Sequence, residues 1–260
     1  MPTPIEILLD PLSLVVLAMY AGLWLWEKLA PARRLPRVPG WPLKGLAAFF
    51  TFFYLSTYLP LFWDAYLAPY QLFDLTGLGT WGGALAALAA YETVGYWWHR
   101  SMHRFNGLWR SFHQMHHSAE RLDVASAYWF SPLDMVGWTA VGSVGLVLVV
   151  GVTPQAATAA LLVITFCGIF QHANIATPKW LGYFIQRPEM HSIHHGRGVH
   201  RYNYADLPVF DLLFGTFRNP DTFSTATGFY DGASRRVGEM LLMRDVSRPR
   251  APALEQVEAA

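Results

Sequence analysis

Five stretches of this 260-residue chain are apolar over the length that a bilayer core demands of a helix, about 20 residues. They lie near 7–27, 46–68, 80–98, 133–152 and 155–176. The composition agrees: 53% of residues are hydrophobic and 14% are charged, where soluble domains carry roughly 25% charge. The first stretch reads as a membrane helix and not as a cleaved leader. Ala30-Pro31-Ala32 resembles a cleavage site, but residues 1–27 hold Glu6 and Asp10 and no Lys or Arg.

The basic residues order these stretches across the membrane. With the N-terminus outside, Lys28, Arg33, Arg34, Arg37 and Lys44 fall inside, between the first two spans. Arg100, Arg104, Arg110 and Arg121 follow the third span on the same side. The outer connections, around 67–80 and at Gly151-Val152-Thr153-Pro154, hold none. All 19 basic residues then share one side. The count fixes parity only, because a re-entrant hairpin over 133–176 leaves it unchanged. A net charge of +1 points to no acidic partner, and no nucleic-acid motif is present. The single Cys167 excludes an intrachain disulfide and a CxxC site. Arg outnumbers Lys 16 to 3, which fits a GC-rich bacterial source.

The ten histidines all lie between 99 and 200. They read His99-x-x-x-His103, His113-x-x-His116-His117, His172, His191-x-x-His194-His195 and His200. Residues i, i+3 and i+4 share one helix face, so the spacing predicts that each trio points its rings at a common spot. Imidazole is the commonest neutral metal ligand. Eight grouped histidines exceed one ion, since a tetrahedral site takes four ligands and an octahedral site six, so two metals sharing the set is the simplest count. Ligand type does not choose among Zn, Cu, Fe and Ni. Every group maps to the inner end of a span or to the inner side. Glu92 lies inside the third stretch, two turns before His99. A carboxylate there is a functional candidate, expected to orient a ligand imidazole through its ring N–H. Asn203 is expected either to orient a ligand or to close a turn, and Asp211 to act as a cap or turn residue.

The three histidine groups, in this order, resemble the fatty acid hydroxylase and sterol desaturase superfamily of integral-membrane di-iron oxygenases. Glu92-x-x-x-Tyr96-Trp97-x-His99-Arg100-x-x-His103 resembles its first box, and Leu108-Trp109-Arg110-x-x-His113-x-x-His116-His117-Ser118 its second. Phe170-Gln171-His172-Ala173-Asn174-Ile175 is similar to a further family stretch. Pro188-Glu189-Met190-His191-x-x-His194-His195 resembles the third box, and Asn203-Tyr204 with Phe210-Asp211-x-x-Phe214-Gly215-Thr216 the closing segment. Where many members carry Arg-x-His-Pro after the second box, this chain has Ala127-Tyr-Trp-Phe-Ser131-Pro132.

The resemblance implies two iron ions, replaceable by zinc in purified protein, with O2 as cosubstrate. It implies hydroxylation or desaturation of a lipid drawn from the bilayer, and a separate ferredoxin- or cytochrome-type electron donor with its reductase. The implied ligands are His99, His103, His113, His116, His117, His191, His194 and His195, with His172 as a ninth. His200 matches no fixed family position and is left out. Glu92 and Asn203 remain the candidate supporting residues.

The expected fold is an all-α integral membrane protein with four to five membrane helices. Membrane helices would fill 1–98 and a membrane hairpin 133–176. A cytosolic helical cap over 99–132 and 177–246 would hold the dimetal site, and 247–260 would form a flexible tail. The expected location is a bacterial inner membrane, with the N-terminus outside and the metals on the cytoplasmic side. The alternative is a non-redox zinc protein, a hydrolase or a lipid-binding relic. A transporter fits less well, since transporters place their ligands near the bilayer midplane.

Overall fold

The computed structural model describes residues 1–250. Most of the expected 247–260 tail therefore lies outside the described residues. Arg250, at its near end, pairs with Glu239 at 2.7 Å.

The first apolar stretch forms two helices, α1 (Pro4–Leu9) and α2 (Pro11–Leu29), where one continuous span was expected. The break has a local cause. Pro11 disfavours helical backbone at the residue before it. Asp10 is extended (φ −61, ψ 137) and caps α2 by accepting from the Leu12 N–H at 2.9 Å. Next come α3 (Trp41–Leu67) and α4 (Gly79–Arg104). A continuous helical run follows, made of α5 (Asn106–Leu108), a π-helical turn (Trp109–His113) and α6 (Gln114–His117). α7 (Pro132–Ser143), which continues as a π-helical turn to Val149, and α8 (Pro154–Phe170) form the later apolar pair. Short helices α9 (Pro188–His194), α10 (Val209–Leu213) and α11 (Val237–Leu241) close the described chain.

Lipid offers a backbone no hydrogen-bond partner, so helices are the expected solution for apolar segments. Among the described residues, three helical segments are long and apolar enough to cross a membrane: Pro11–Leu29, Trp41–Tyr70 and Pro132–Val149. In the first two, only 17% and 22% of the most apolar window is buried in the protein, so most of that surface is left for lipid. The expected count of four to five is not confirmed. α8 has 17 residues and falls short in length. The apolar run of α4 is interrupted by Glu92 and ends in His99, Arg100, His103 and Arg104. α4 packs along α8 and also against α7. One departure from an all-helical chain is a two-residue parallel pairing of Phe73–Asp74 with Val150–Gly151, where the loops after α3 and after the α7 segment meet.

Buried polar anchors tie the remaining segments to the helix ends. The Glu27 carboxylate at the end of α2 accepts from the Val124 and Asn174 N–H groups, at 2.9 and 3.1 Å. The Trp41 indole at the start of α3 donates to Asp123 at 2.9 Å. A Cβ at Gly45 would lie 2.5 Å from the Ala125 carbonyl, so glycine allows α3 to approach the 124–126 turn. These contacts fix the histidine-bearing segments relative to the membrane helices.

Candidate metal centre

The histidines assemble into two adjoining sets. Ring nitrogens of His99, His103, His113, His117 and His194 lie within 4.8 Å of one another, as do those of His116, His172, His191 and His195. The expectation that each trio shares one spot is corrected here. In each trio the i, i+4 pair stays together and the third member joins the other set. His113 and His117 face one set while His116 faces the second; His191 and His195 face the second while His194 faces the first. Neighbours i+3 and i+4 diverge by about 100° on a helix, so adjacent histidines straddle the boundary between the sets.

The donor atoms suit metal ions. At an N–metal distance of about 2.1 Å, two ligands at right angles lie about 3.0 Å apart. His99 and His113 present Nε2 atoms 3.0 Å apart. In the second set, His116–His172, His172–His191 and His191–His195 do so at 3.1, 3.0 and 3.1 Å. The Nε2 atoms of His103, His117 and His194 are buried and have no hydrogen-bond partner. Burial holds His113, His116, His117, His191, His194 and His195 well below the usual imidazole range. His172 is lowered to about 4 for the same reason. The rings are therefore neutral at pH 7, the form that binds metal.

Seven of the nine rings have the other nitrogen held. His99, His103 and His194 direct Nδ1 to the carbonyls of Tyr204, His200 and Tyr202, at 2.7, 2.8 and 2.7 Å. Three alternate carbonyls of one short run thus orient three rings of one set. His200, Tyr202 and Asn203 in that run have φ of 43°, 73° and 49°, a left-handed backbone rare outside glycine. Asn203 secures it: its amide donates to the Met190 and Arg218 carbonyls and accepts from the Arg218 N–H, at 2.9, 2.9 and 2.8 Å. Asp211 holds the far end, accepting from the Tyr204 and Ala205 N–H groups at 2.9 and 3.0 Å. In the second set, His172 meets the Gly168 carbonyl at 2.7 Å and His191 the Gln186 side chain at 3.3 Å.

Two supporting groups escaped the sequence reading. Asp134 accepts from His113 Nδ1 at 2.9 Å. Its place in the first turn of α7, three residues after the Ser131 cap, reads in sequence as an ordinary helix start. His200 belongs to neither set, yet its Nδ1 lies 3.1 Å from His117 Nδ1 while its carbonyl serves His103. Glu92 departs from expectation. It meets no histidine among the described residues; one carboxylate oxygen accepts from the Leu207 N–H at 3.2 Å. The ring it was expected to orient, His99, uses a backbone carbonyl instead.

A cavity of about 820 Å3 runs from α1, α2 and α3 between α7 and α8 to the histidines. Phe49, Phe53, Leu146 and Leu161 line its apolar length, and His99, His113, His116, His172 and His191 reach its inner end.

Helix and cavity together define an integral membrane protein with a buried polyhistidine centre at the end of an apolar passage. The chain belongs to the fatty acid hydroxylase family, whose sequence pattern matches residues 84–216. It is 33% identical over 126 residues to an ornithine lipid hydroxylase of Rhizobium tropici, covering 47% of this chain and 38% of that one. It is also 29% identical over 217 residues to the alkylglycerol monooxygenase of Homo sapiens, covering 79% and 46%. The Danio rerio alkylglycerol monooxygenase is 30% identical over 173 residues, covering 63% and 35%. The chain thus spans less than half the length of these relatives. No solved structure matches it.

Proposed function

We propose that this protein is a membrane di-iron oxygenase that hydroxylates an unactivated C–H position of a lipid. The observation that carries the reading is the meeting of a largely apolar cavity of about 820 Å3 with two sets of neutral imidazoles at its inner end. His99, His103, His113, His117 and His194 would hold one ion, and His116, His172, His191 and His195 the other. When bound, the iron pair supplies O2 activation, with two electrons delivered by a separate ferredoxin- or cytochrome-type protein. The chain's own part is positional. Phe49, Phe53 and Leu161 bind the hydrocarbon and exclude water, while Asp134, Gln186 and the 200–204 carbonyls fix the rings. Asn203 acts as a positioning residue, because it secures the run that carries those carbonyls.

A lipid would enter sideways from the bilayer, which accounts for a reactive centre at the membrane boundary. The distribution of Lys and Arg favours an N-terminus outside and a metal centre on the cytoplasmic side of a bacterial inner membrane. The names of the relatives, a lipid hydroxylase and two monooxygenases, favour oxygen insertion over desaturation.

The test joins metal analysis of anaerobically purified protein with lipid mass spectrometry of cells with and without the gene. Two irons per chain and a lipid gaining one oxygen support the reading. A lipid losing two hydrogens would make the protein a desaturase. Zinc alone with unchanged lipids would overturn the oxygenase assignment.

A further inference from the structure

The inner end of the cavity is not apolar. Glu92, Asp206, Gln171 and Gln186 line it beside the histidines. Glu92 is 2% exposed, and its Oε1 is buried without a hydrogen-bond partner. Its other oxygen accepts from the Leu207 N–H at 3.2 Å, which places it against the backbone adjoining Asp206. Asp206 is enclosed by protein yet faces the cavity. Its Oδ1 accepts from the Gln171 amide at 2.8 Å, and Gln171 is in turn held by Gln186 at 2.6 Å.

Two carboxyls share this space, and among the described residues neither forms an ion pair. Arg100, on the same helix as Glu92, donates to the Tyr96 hydroxyl at 2.9 Å. Burial disfavours the anion of Asp206 and pushes its carboxyl up. Buried carboxylates need a partner. A cation arriving with the substrate would supply one.

We propose that Glu92 and Asp206 form a receptor for an ammonium group on the lipid, so that the headgroup of an amine-bearing lipid seats at the metal end of the cavity. Its chain would lie along Phe49, Phe53 and Leu161 toward α1. That polarity suits a lipid of the cytoplasmic leaflet, whose headgroup sits at the depth of the histidines. The inference rests on the oxygenase reading for its consequence: oxidation would fall on carbons near the headgroup and not in mid-chain.

Binding tests it without turnover. The full chain, in nanodiscs of neutral lipid, is titrated with dodecylamine, dodecanol and laurate. The wild type should bind the amine at least about tenfold more tightly than laurate, the scale of a charge-assisted contact. Glu92→Gln and Asp206→Asn, both nearly isosteric, should each remove most of that preference, with dodecanol affinity and metal content unchanged. Absence of the preference in the wild type overturns the proposal. So does a preference that survives both substitutions, or one that vanishes only with Asp64→Asn, a residue near the opposite end of the cavity. Joint loss of metal and preference also overturns it, because the carboxyls would then serve to balance the ions. Failure of the oxygenase reading, seen as zinc and unchanged lipids, would leave the amine preference standing.

Discussion

His113 Nδ1 meets Asp134 Oδ2 at 2.9 Å, with side-chain exposures of 1% and 0%. A carboxylate behind a ligand imidazole fixes the ring's tautomer and strengthens it as a donor. Asp134→Asn keeps the shape and removes the charge. The expected outcome is a 10- to 100-fold fall in metal affinity or turnover, typical for loss of such a partner. Competitive chelation followed by elemental analysis measures it.

On the proposed reading, His172 is a ligand and His200 a support. His172→Ala takes one of four nitrogens from the second set and should reduce the stoichiometry from two ions toward one. His200→Ala should retain both ions while lowering activity, because its carbonyl persists and only the ring beside His117 is lost. Metal counts on the two variants decide it.

Acid should weaken the protein through its histidines. His172 and His200 are both lowered by burial from 6.5 to about 4. Between those values the unfolded chain binds more protons than the folded one, so stability rises with pH across that window. The contribution is complete above about 6.5 and is lost as pH falls toward about 4. Thermal unfolding of metal-free protein at pH 7.5 and pH 5 should give the lower midpoint at pH 5.

Asn203→Ala removes three hydrogen bonds, about 1 kcal/mol each net, and places alanine in left-handed backbone for about 1 kcal/mol more. The expected result is a loss of roughly 3–4 kcal/mol in stability. Metal retention should fall in parallel, because the 200–204 carbonyls lose their hold. Chemical denaturation and metal content are the measurements.

Gly142 lines the cavity, and a Cβ there would meet nothing within 4 Å. Gly142→Phe should fit without distorting the helix and occupy part of the passage. KM for long-chain lipids should rise and preference should move to shorter chains, with two ions still bound. Unaltered chain-length preference would show that the lipid takes another route.

The histidine boxes were legible because ligand chemistry is written in residue identity and spacing. Periodicity could not show how each trio divides, since that depends on which partner helix lies beyond His116 and His194. Support for the rings was hidden for a different reason. Four of its acceptors are backbone carbonyls, which every residue carries, and Asp134 reads as an ordinary first-turn acid behind the Ser131 cap. Glu92 was rightly singled out as an unusual buried carboxylate, but its neighbours come from residues 206–207, more than a hundred positions away. Broken α1–α2 was legible in Asp10-Pro11, where the proline signal gave way to the apolar run around it.

The three carbonyls at 200, 202 and 204 also set an order of assembly. They emerge from the ribosome after α1 to α8, and His191, His194 and His195 precede them by only a few residues. Neither ring set is complete until that stretch has been made. On the proposed reading, metal capture would therefore follow synthesis of α1 to α8 and of residues 191–204. A cell short of the metal would then accumulate unfinished copies, with residues 191–204 as the part awaiting closure.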